Sequence, residues 1–97
     1  MRKQIINGMT GTEVKTMTTS KGNKKAWFRM AEHKTAQDGT EQTIWHNVAA
    51  WNGIADKVEN LVAGTPVTIE CFTAENNWTD QNGQARKRTE LVITRIF

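Results

Sequence analysis

Apolar and polar side chains alternate with a period of two along most of this chain, which predicts strands rather than helices. The clearest segments are residues 24–33 and 43–51. One face of each segment is expected to point into a core: Ala26, Phe28 and Met30, then Ile44, His46, Val48 and Ala50. The opposite faces are expected to point outward: Lys25, Trp27 and Arg29, then Trp45, Asn47, Ala49 and Trp51.

The remaining strand patterns lie at the two ends of the chain. Residues 3–17 carry spaced apolar side chains with Gly8 and Gly11 among them, which favours one long strand with a bend. Residues 67–78 and 86–97 predict two further strands. Turn-forming residues separate the strands at 20–23, 37–40 and 80–83. The inward side chains of the fourth strand are expected to be Val67, Ile69 and Cys71.

Residues 52–64 change to a helical period. Asn52 is the predicted N-cap of this helix and Gly64 its C-terminal glycine. The apolar stripe consists of Ile54, Val58, Leu61 and Val62. An all-β pattern with five strands and one helix between the third and fourth is the order of the OB fold, a Greek-key barrel. We expect a single domain over residues 1–97, long enough for one modest core.

Composition directs attention to the outward faces. The chain has four Trp, three Phe and no Tyr, and 13 Lys and Arg against 10 Asp and Glu give a net charge of +3. Because the inward positions already hold apolar residues, the tryptophans are expected at the surface. An exposed indole can stack on any unpaired base, and adjacent cations can neutralise phosphates. The predicted single-stranded DNA-binding residues are Trp45, Trp51, Trp78, Trp27, Lys25, Arg29, Lys34, Arg86, Lys87 and Arg88.

Each of these residues has a structural alternative. A tryptophan can be ordinary core packing, and Trp27 could instead cover a sheet edge or a subunit contact. The basic run 86–88 could be solvated charge. His46 is expected to be structural, and Cys71 a small core residue. With one Cys, two His and no paired carboxylates, we expect no metal, no cofactor and no enzymatic activity. No apolar run is long enough to cross a membrane, so we expect a cytoplasmic protein.

Three stretches resemble the bacterial single-stranded DNA-binding proteins, the SSB family. They are TIWHNV at 43–48, the segment 53–67 with its glycine exit, and WTDQNGQ at 78–84 followed by TELV at 89–92. The resemblance covers nearly the whole chain. It implies an OB fold and sequence-independent binding that protects single-stranded DNA during replication, recombination and repair, at the bacterial nucleoid. It also implies DNA-stacking roles for Trp45, Trp51 and Trp78.

The same resemblance implies a homotetramer, with a dimer as the second possibility. It gives His46 a role in subunit association, and the first strand adds apolar candidates for that interface: Ile5, Ile6 and Met9. Family members often have another stacking aromatic where this chain has His33, Lys34 and Thr35. They also typically continue into an acidic tail that recruits partners, whereas this sequence ends at Phe97. The chain is therefore either a compact DNA coat or a shortened form, and we expect no tail-recruited partner.

Two other functions are alternatives for a chain of this kind. Some related OB-fold dimers, such as the primosomal replication protein, act as accessory scaffolds with weak DNA binding, and such a module would tolerate loss of Trp45 and Trp51. A nuclease on an OB barrel would need clustered carboxylates to hold a metal, and the sequence shows no such cluster.

Overall fold

A computed structural model describes residues 2–97 of the chain. Within that range the chain forms six strands and one short helix, α1. In chain order the elements are β1 (Gln4–Thr10), β2 (Lys15–Thr18), β3 (Lys24–Thr35), β4 (Glu41–Trp51), α1 (Gly53–Val58), β5 (Pro66–Thr79) and β6 (Ala85–Ile96). The helix lies where the sequence predicts it, since β1 and β2 together replace the first predicted strand.

The strands form a sheet that closes on itself. Its order is β1-β5-β6-β4-β3-β2, and every neighbouring pair is antiparallel except β4 and β6. Closure comes from a short pairing of β1 with β3, in which Met9 lies opposite Ala31 and Thr10 opposite Met30. Five strands thus make a closed barrel, and β2 extends the sheet beyond β3. The predicted mostly-β barrel with one helix is confirmed.

The long first strand of the prediction is divided in two. Both halves pair with β3. Thr10 lies opposite Met30 and Lys15 opposite Trp27, so the first segment advances by five residues over a length in which β3 advances by three. The two extra residues form a bulge that turns the chain from the barrel wall onto its outer edge. At the bend the Gly11 amide donates to the Arg29 carbonyl over 2.7 Å. Gly11 therefore marks a bend, as expected, but the strand does not continue through it. Gly8 lies within β1, where a β-carbon would come 2.5 Å from the Ala31 carbonyl oxygen.

The core fills the barrel and confirms most of the predicted inward positions. Ala26, Phe28 and Met30 are buried, as are Val48, Ala50, Val67, Ile69 and Cys71. Ala49 is also buried although its strand parity points outward. It lies between Trp27 on β3 and Val92 on β6, so its small side chain is covered by larger neighbours. Ile6 is 4% exposed and belongs to the core as well.

The helix is shorter than the sequence pattern indicates. It covers Gly53–Val58, with Ala55 and Val58 buried against the barrel. The predicted stripe fails at its C-terminal end, where Val62 is 66% exposed because the chain has already left the helix. Gly64 has a φ of 86°, but it serves the following loop, where its amide donates to the Thr10 carbonyl.

Asn52 does not act as the predicted N-cap. Its φ is 52°, and its side chain makes no capping hydrogen bond to the helix. The Asn52 amide oxygen instead accepts from the backbone amide of Lys24 over 3.0 Å, which ties the helix start to β3. The Lys24 ammonium reaches the helix from the same strand and pairs with Asp56 and Glu59. The hydrogen bond to Asp56, followed by that to Glu59, raises the pKa of Lys24.

Two long hairpins extend from the barrel. The β3–β4 hairpin turns at residues 36–40, and the β5–β6 hairpin turns at residues 80–84. In the second turn the Asp80 carboxylate accepts from the amides of Asn82 and Gln84, each over 2.9 Å, and Gly83 has a φ of 78°. Of the elements described for residues 2–97, none is a helix long and apolar enough to span a membrane.

Candidate nucleic-acid interface

One outer surface of the barrel collects aromatic and basic side chains from four neighbouring strands. Strand parity is continuous across β3, β4, β6 and β5, because Val48 and Leu91 are paired and both buried, which leaves their neighbours facing outward. We call this surface the aromatic face. It comprises Lys25, Trp27 and Arg29 on β3, Trp45, Asn47 and Trp51 on β4, Trp78 on β5, and Arg86, Arg88 and Glu90 on β6.

Trp45 lies at one end of this face, with half of its surface exposed. Its ring packs over Gly11, so close that a β-carbon on residue 11 would lie 2.3 Å from the ring. The Arg29 guanidinium stands 5.0 Å from the centroid of the same ring. Because a cation at this distance is attracted to the π-system, Trp45 is held between a backbone bend and a positive charge.

Trp51 marks the other end of β4 and is 37% exposed. The Lys25 ammonium lies directly across the strand pair and stands 5.5 Å from the ring centroid. The same ammonium lies 3.5 Å from the Glu90 carboxylate on β6. The side chains of Lys25 and Glu90 are only 18% and 13% exposed, so this ion pair is largely withdrawn from solvent.

Trp78 extends the face along the β5–β6 hairpin and is 44% exposed. Its direct cross-strand neighbour is Arg86, whose Nε donates to Asp80 over 2.8 Å. This hydrogen bond is the largest cause that lowers the pKa of Asp80, and the turn amides add to it. The turn thus fixes Arg86 beside the exposed indole.

The basic run 86–88 divides between the two faces of the hairpin. Arg86 and Arg88 alternate onto the aromatic face, and Arg88 donates to the Asn47 side chain over 3.3 Å. Lys87 lies opposite Asn77 on the other face, where its ammonium is 3.5 Å from Glu75. The structure therefore does not bring Lys87 together with the other predicted residues. Lys34 also stands apart, near the end of β3 and opposite Gln42.

A shallow cleft occupies the centre of the aromatic face. Its walls include Trp27 and Lys15, and its other lining residues include Arg29, Asn47, Arg88 and Glu90. Trp27 is half-buried and borders this cleft. Three further charged residues of the site were not predicted from the sequence: Glu13, Lys15 and Glu90. The parity of β6 could have indicated Glu90, because it follows Arg86 and Arg88 at a spacing of two.

The predicted subunit-contact residues differ in how much of their surface is exposed. Ile5 is 61% exposed and Met9 is 41% exposed on β1, whereas Ile6 between them is a core residue and offers no surface for a partner. His46 is partly buried, and its Nε2 lies 3.0 Å from the Glu32 carboxylate. A surface for association on β1 would therefore be carried by Ile5 and Met9.

The side chains best known for covalent or metal chemistry are not grouped. Cys71 is buried in the barrel, and burial raises the pKa of its thiol. Among residues 2–97, His, Cys, Asp and Glu form no group of three that could hold a metal ion. The chemistry that the aromatic face offers is therefore stacking, hydrogen bonding and charge.

Comparisons with a family model and with individual relatives point to the same family. The Single-strand binding protein family matches over residues 1–97. A single-stranded DNA-binding protein of Rickettsia felis is 30% identical across 96% of this chain and 66% of the relative. One of Rhizobium meliloti is 32% identical across 96% of this chain and 58% of the relative. The chain thus spans less than two thirds of the length of these relatives.

A solved structure described as a Plasmodium falciparum SSB complex with ssDNA superimposes with a TM-score of 0.80. It covers 96% of this chain and 86% of the other, at 21% identity. The likeness confirms the OB-type barrel.

Proposed function

Because the chain belongs to the Single-strand binding protein family, we propose that it binds single-stranded DNA without sequence preference through the aromatic face. The observation that carries this proposal is the exposure of three indoles on one surface of a closed barrel. Trp45, Trp51 and Trp78 are 50%, 37% and 44% exposed. Each offers a flat apolar ring beside a cation, and no apolar partner within the described chain covers them.

Stacking explains why such a surface would not read sequence. Every base has a π-face, and stacking on an aromatic side chain contributes about 1–3 kcal/mol per base whichever base it is. Duplex DNA keeps these faces buried in its own stack, so a surface of indoles selects the single strand. The spacing also suits a DNA strand that runs along β4, because Trp45 and Trp51 are separated by the rise of six residues, roughly 20 Å.

Phosphates would be held by the cations around the indoles. Arg29 lies beside Trp45, and Arg86 lies beside Trp78. Arg88 on β6 contacts the Asn47 side chain on β4. Lys15 stands exposed at the edge of the cleft. Neutralising phosphates releases counterions, so we expect affinity to fall as salt rises.

The experiment that tests the function is a titration of tryptophan fluorescence with oligo-dT. Quenching that saturates, weakens with added salt and is much weaker with duplex of equal length supports the proposal. Duplex binding equal to that of the single strand would contradict it. Weak binding of both, with normal activity in a replication-restart assay after loss of Trp45 and Trp51, would favour the accessory scaffold instead.

We also propose a biological setting and an assembly. A coat of this kind would protect single-stranded DNA during replication, recombination and repair, in the cytoplasm at the nucleoid, and it needs no catalytic step or cofactor. The proposed assembly is a homotetramer, or otherwise a dimer, of single-domain chains. Supporting it are Ile5 and Met9, two exposed apolar side chains on β1, with His46 as a further candidate. The mass of the protein in solution tests this proposal.

A further inference from the structure

Two acidic side chains, Glu13 and Glu90, line the cleft among its cations. Glu90 lines the cleft together with Lys25, Arg29, Asn47 and Arg88. It is not a solvated surface carboxylate, since its side chain is only 13% exposed. An acid in this position works against phosphate binding at the nearest cation, and the proposed function does not account for it.

The partner of Glu90 is Lys25, which reaches it from two strands away. Lys25 is on β3 and Glu90 is on β6, with β4 between them. The buried methyl group of Ala49 lies on the intervening strand, so the lysine side chain meets no bulky side chain there. The resulting 3.5 Å ion pair lies next to Trp51, whose ring is 5.5 Å from the same ammonium. This part of the floor therefore carries no net charge.

The neighbouring part of the floor holds a guanidinium that a neutral amide orients. Arg88 donates to the Asn47 side chain, and Asn47 is adjacent to Glu90 across the parallel strand pair. A phosphate that entered the floor to reach Lys25 would approach the Glu90 carboxylate as well, and like charges repel more strongly where the carboxylate is largely withdrawn from solvent. A neutral base meets no such repulsion and can lie against Trp27, which lines the same cleft. Phosphates are favoured instead at Arg29 and Lys15, two lining cations that form no ion pair among residues 2–97. Glu13 also lines the cleft, but its side chain is exposed to water, so it repels a phosphate less than the withdrawn Glu90 carboxylate does.

We infer that Glu90 is a specificity-determining residue for DNA binding, because its carboxylate, paired with Lys25 beside Trp51, keeps phosphates away from Lys25 so that a base occupies this part of the cleft floor. This inference rests on the proposed function and adds an orientation to it. The strand lies with its bases toward the barrel and its backbone toward the cleft margin. The chain thereby distinguishes a strand with bases from a bare polyanion.

The test compares two ligands of equal length, oligo-dT and an abasic phosphodiester strand, bound to the wild-type chain and to Glu90→Gln. We expect the wild type to prefer oligo-dT. Glu90→Gln frees Lys25, so binding of the abasic strand should tighten several-fold more than binding of oligo-dT, and the ratio of the two Kd values should fall about five-fold. The salt slope of abasic-strand binding should steepen by about 0.7, the contribution of one added phosphate contact on a single strand.

A matched control is Glu75→Gln. Glu75 is also paired with a lysine at 3.5 Å, but on the opposite face of the hairpin. Glu75→Gln removes the same charge from the protein as Glu90→Gln, and it should leave the ratio of the two Kd values unchanged. Equal effects of Glu75→Gln and Glu90→Gln would overturn the inference, because net charge alone would then explain them.

A second pair of variants separates the charge of Glu90 from its effect on Lys25, and it remains informative if Glu90→Gln alone folds poorly. In a Lys25→Gln background, adding Glu90→Gln should still tighten abasic-strand binding at least three-fold, because the repelling charge is gone. Glu90→Asp should keep the wild-type ratio. No change on adding Glu90→Gln to Lys25→Gln would overturn the inference. If the wild type fails to bind oligo-dT at all, the proposed function fails instead, so the two failures are distinguishable.

Discussion

The indole of Trp45 rests on Gly11, where the first β-segment bends away from the barrel wall, and no space for a β-carbon remains between them. The contact joins two features that are far apart in the sequence. The bulge between β1 and β2 brings Gly11 next to β3, and the cross-strand pairing of β4 puts Trp45 over the same spot. The bend thus determines how far the indole stands out from the sheet.

Gly11→Ala should therefore change the aromatic face without changing any of its residues. The new methyl group would lie 2.3 Å from the ring, so Trp45 must move away from its place beside Arg29. We expect oligo-dT affinity to fall roughly three- to ten-fold, which corresponds to about 0.7–1.4 kcal/mol. Gly53→Ala is the matched control, since nothing lies within 4 Å of its new β-carbon. Equal affinities of the two variants would show that the Trp45 position is unimportant.

Removing the indoles themselves should have a larger effect. Trp45→Leu and Trp51→Leu keep an apolar side chain but lose the stacking surface. Each should weaken oligo-dT binding by about 1–3 kcal/mol, or roughly 5- to 150-fold, measured by anisotropy of a labelled oligonucleotide. Phe97→Leu serves as a control, because Phe97 is a 62% exposed aromatic residue outside the aromatic face. A loss of affinity in Phe97→Leu comparable to the other two would argue against a specific stacking site.

The fold could be predicted where side chains follow the strand period and local turns carry their own signals. Phe28, Met30 and Val48 are buried as expected, and the turn ending at Gly83 lies where its residues indicate. The predictions of local structure that were wrong involve residues with contacts far away in the sequence. Asn52 is of a residue type that commonly caps helices. Its side chain instead accepts a hydrogen bond from the backbone amide of Lys24, which is remote in the sequence. No local pattern contains that partner.

The candidate site shows the same division. The outward direction of Trp45 and Trp51 follows from the parity of a single strand, and both are exposed. The ion pair of Lys25 with Glu90 depends on β6 lying parallel beside β4, which is a property of the order of strands in the sheet. Similarly, the basic run 86–88 appears continuous in the sequence, yet strand pleating directs Lys87 to the other face.

Acid should loosen the hairpin that carries Trp78. Hydrogen bonds from Arg86 and the turn amides lower the pKa of Asp80 in the folded chain. Such a group stabilises the fold at pH values above its unfolded pKa of about 3.9, and the stabilisation is lost as pH falls through the lower folded value. Asp80→Asn should loosen the hairpin at neutral pH and remove this part of the acid dependence. The NMR signal of the Trp78 indole measures both effects.

Asp38→Asn is the control for the Asp80 prediction. Asp38 lies in the turn of the other hairpin, where hydrogen bonds from Thr40 lower its pKa. The two carboxylates are similar in type but occupy different turns. Changing Asp38 should leave the Trp78 indole signal unmoved at neutral pH. A Trp78 signal that responds equally to both substitutions would mean that the Asp80 turn does not position the indole.

A single buried hydroxyl should contribute strongly to stability. Thr10 is 2% exposed, and its hydroxyl donates to the Val62 carbonyl over 2.6 Å and accepts from the Thr65 amide over 2.8 Å. Thr10→Val keeps the shape but leaves both backbone groups without this partner. We expect the free energy of unfolding in urea to fall by about 1–3 kcal/mol. Thr16→Val, at an exposed position on β2, should change it by less than about 0.5 kcal/mol.

The proposed assembly makes a prediction about β1 alone. Ile5 is 61% exposed on that strand, and a charge buried at a subunit contact would be costly. Ile5→Lys should therefore lower the mass measured by light scattering at micromolar concentration from a tetramer to a smaller species, while circular dichroism keeps the wild-type spectrum. Val62→Lys places the same charge at a 66% exposed apolar residue in the loop after α1, and it should leave the mass unchanged. A wild-type mass in both variants would exclude β1 from the interface, and a monomeric wild type would overturn the assembly itself.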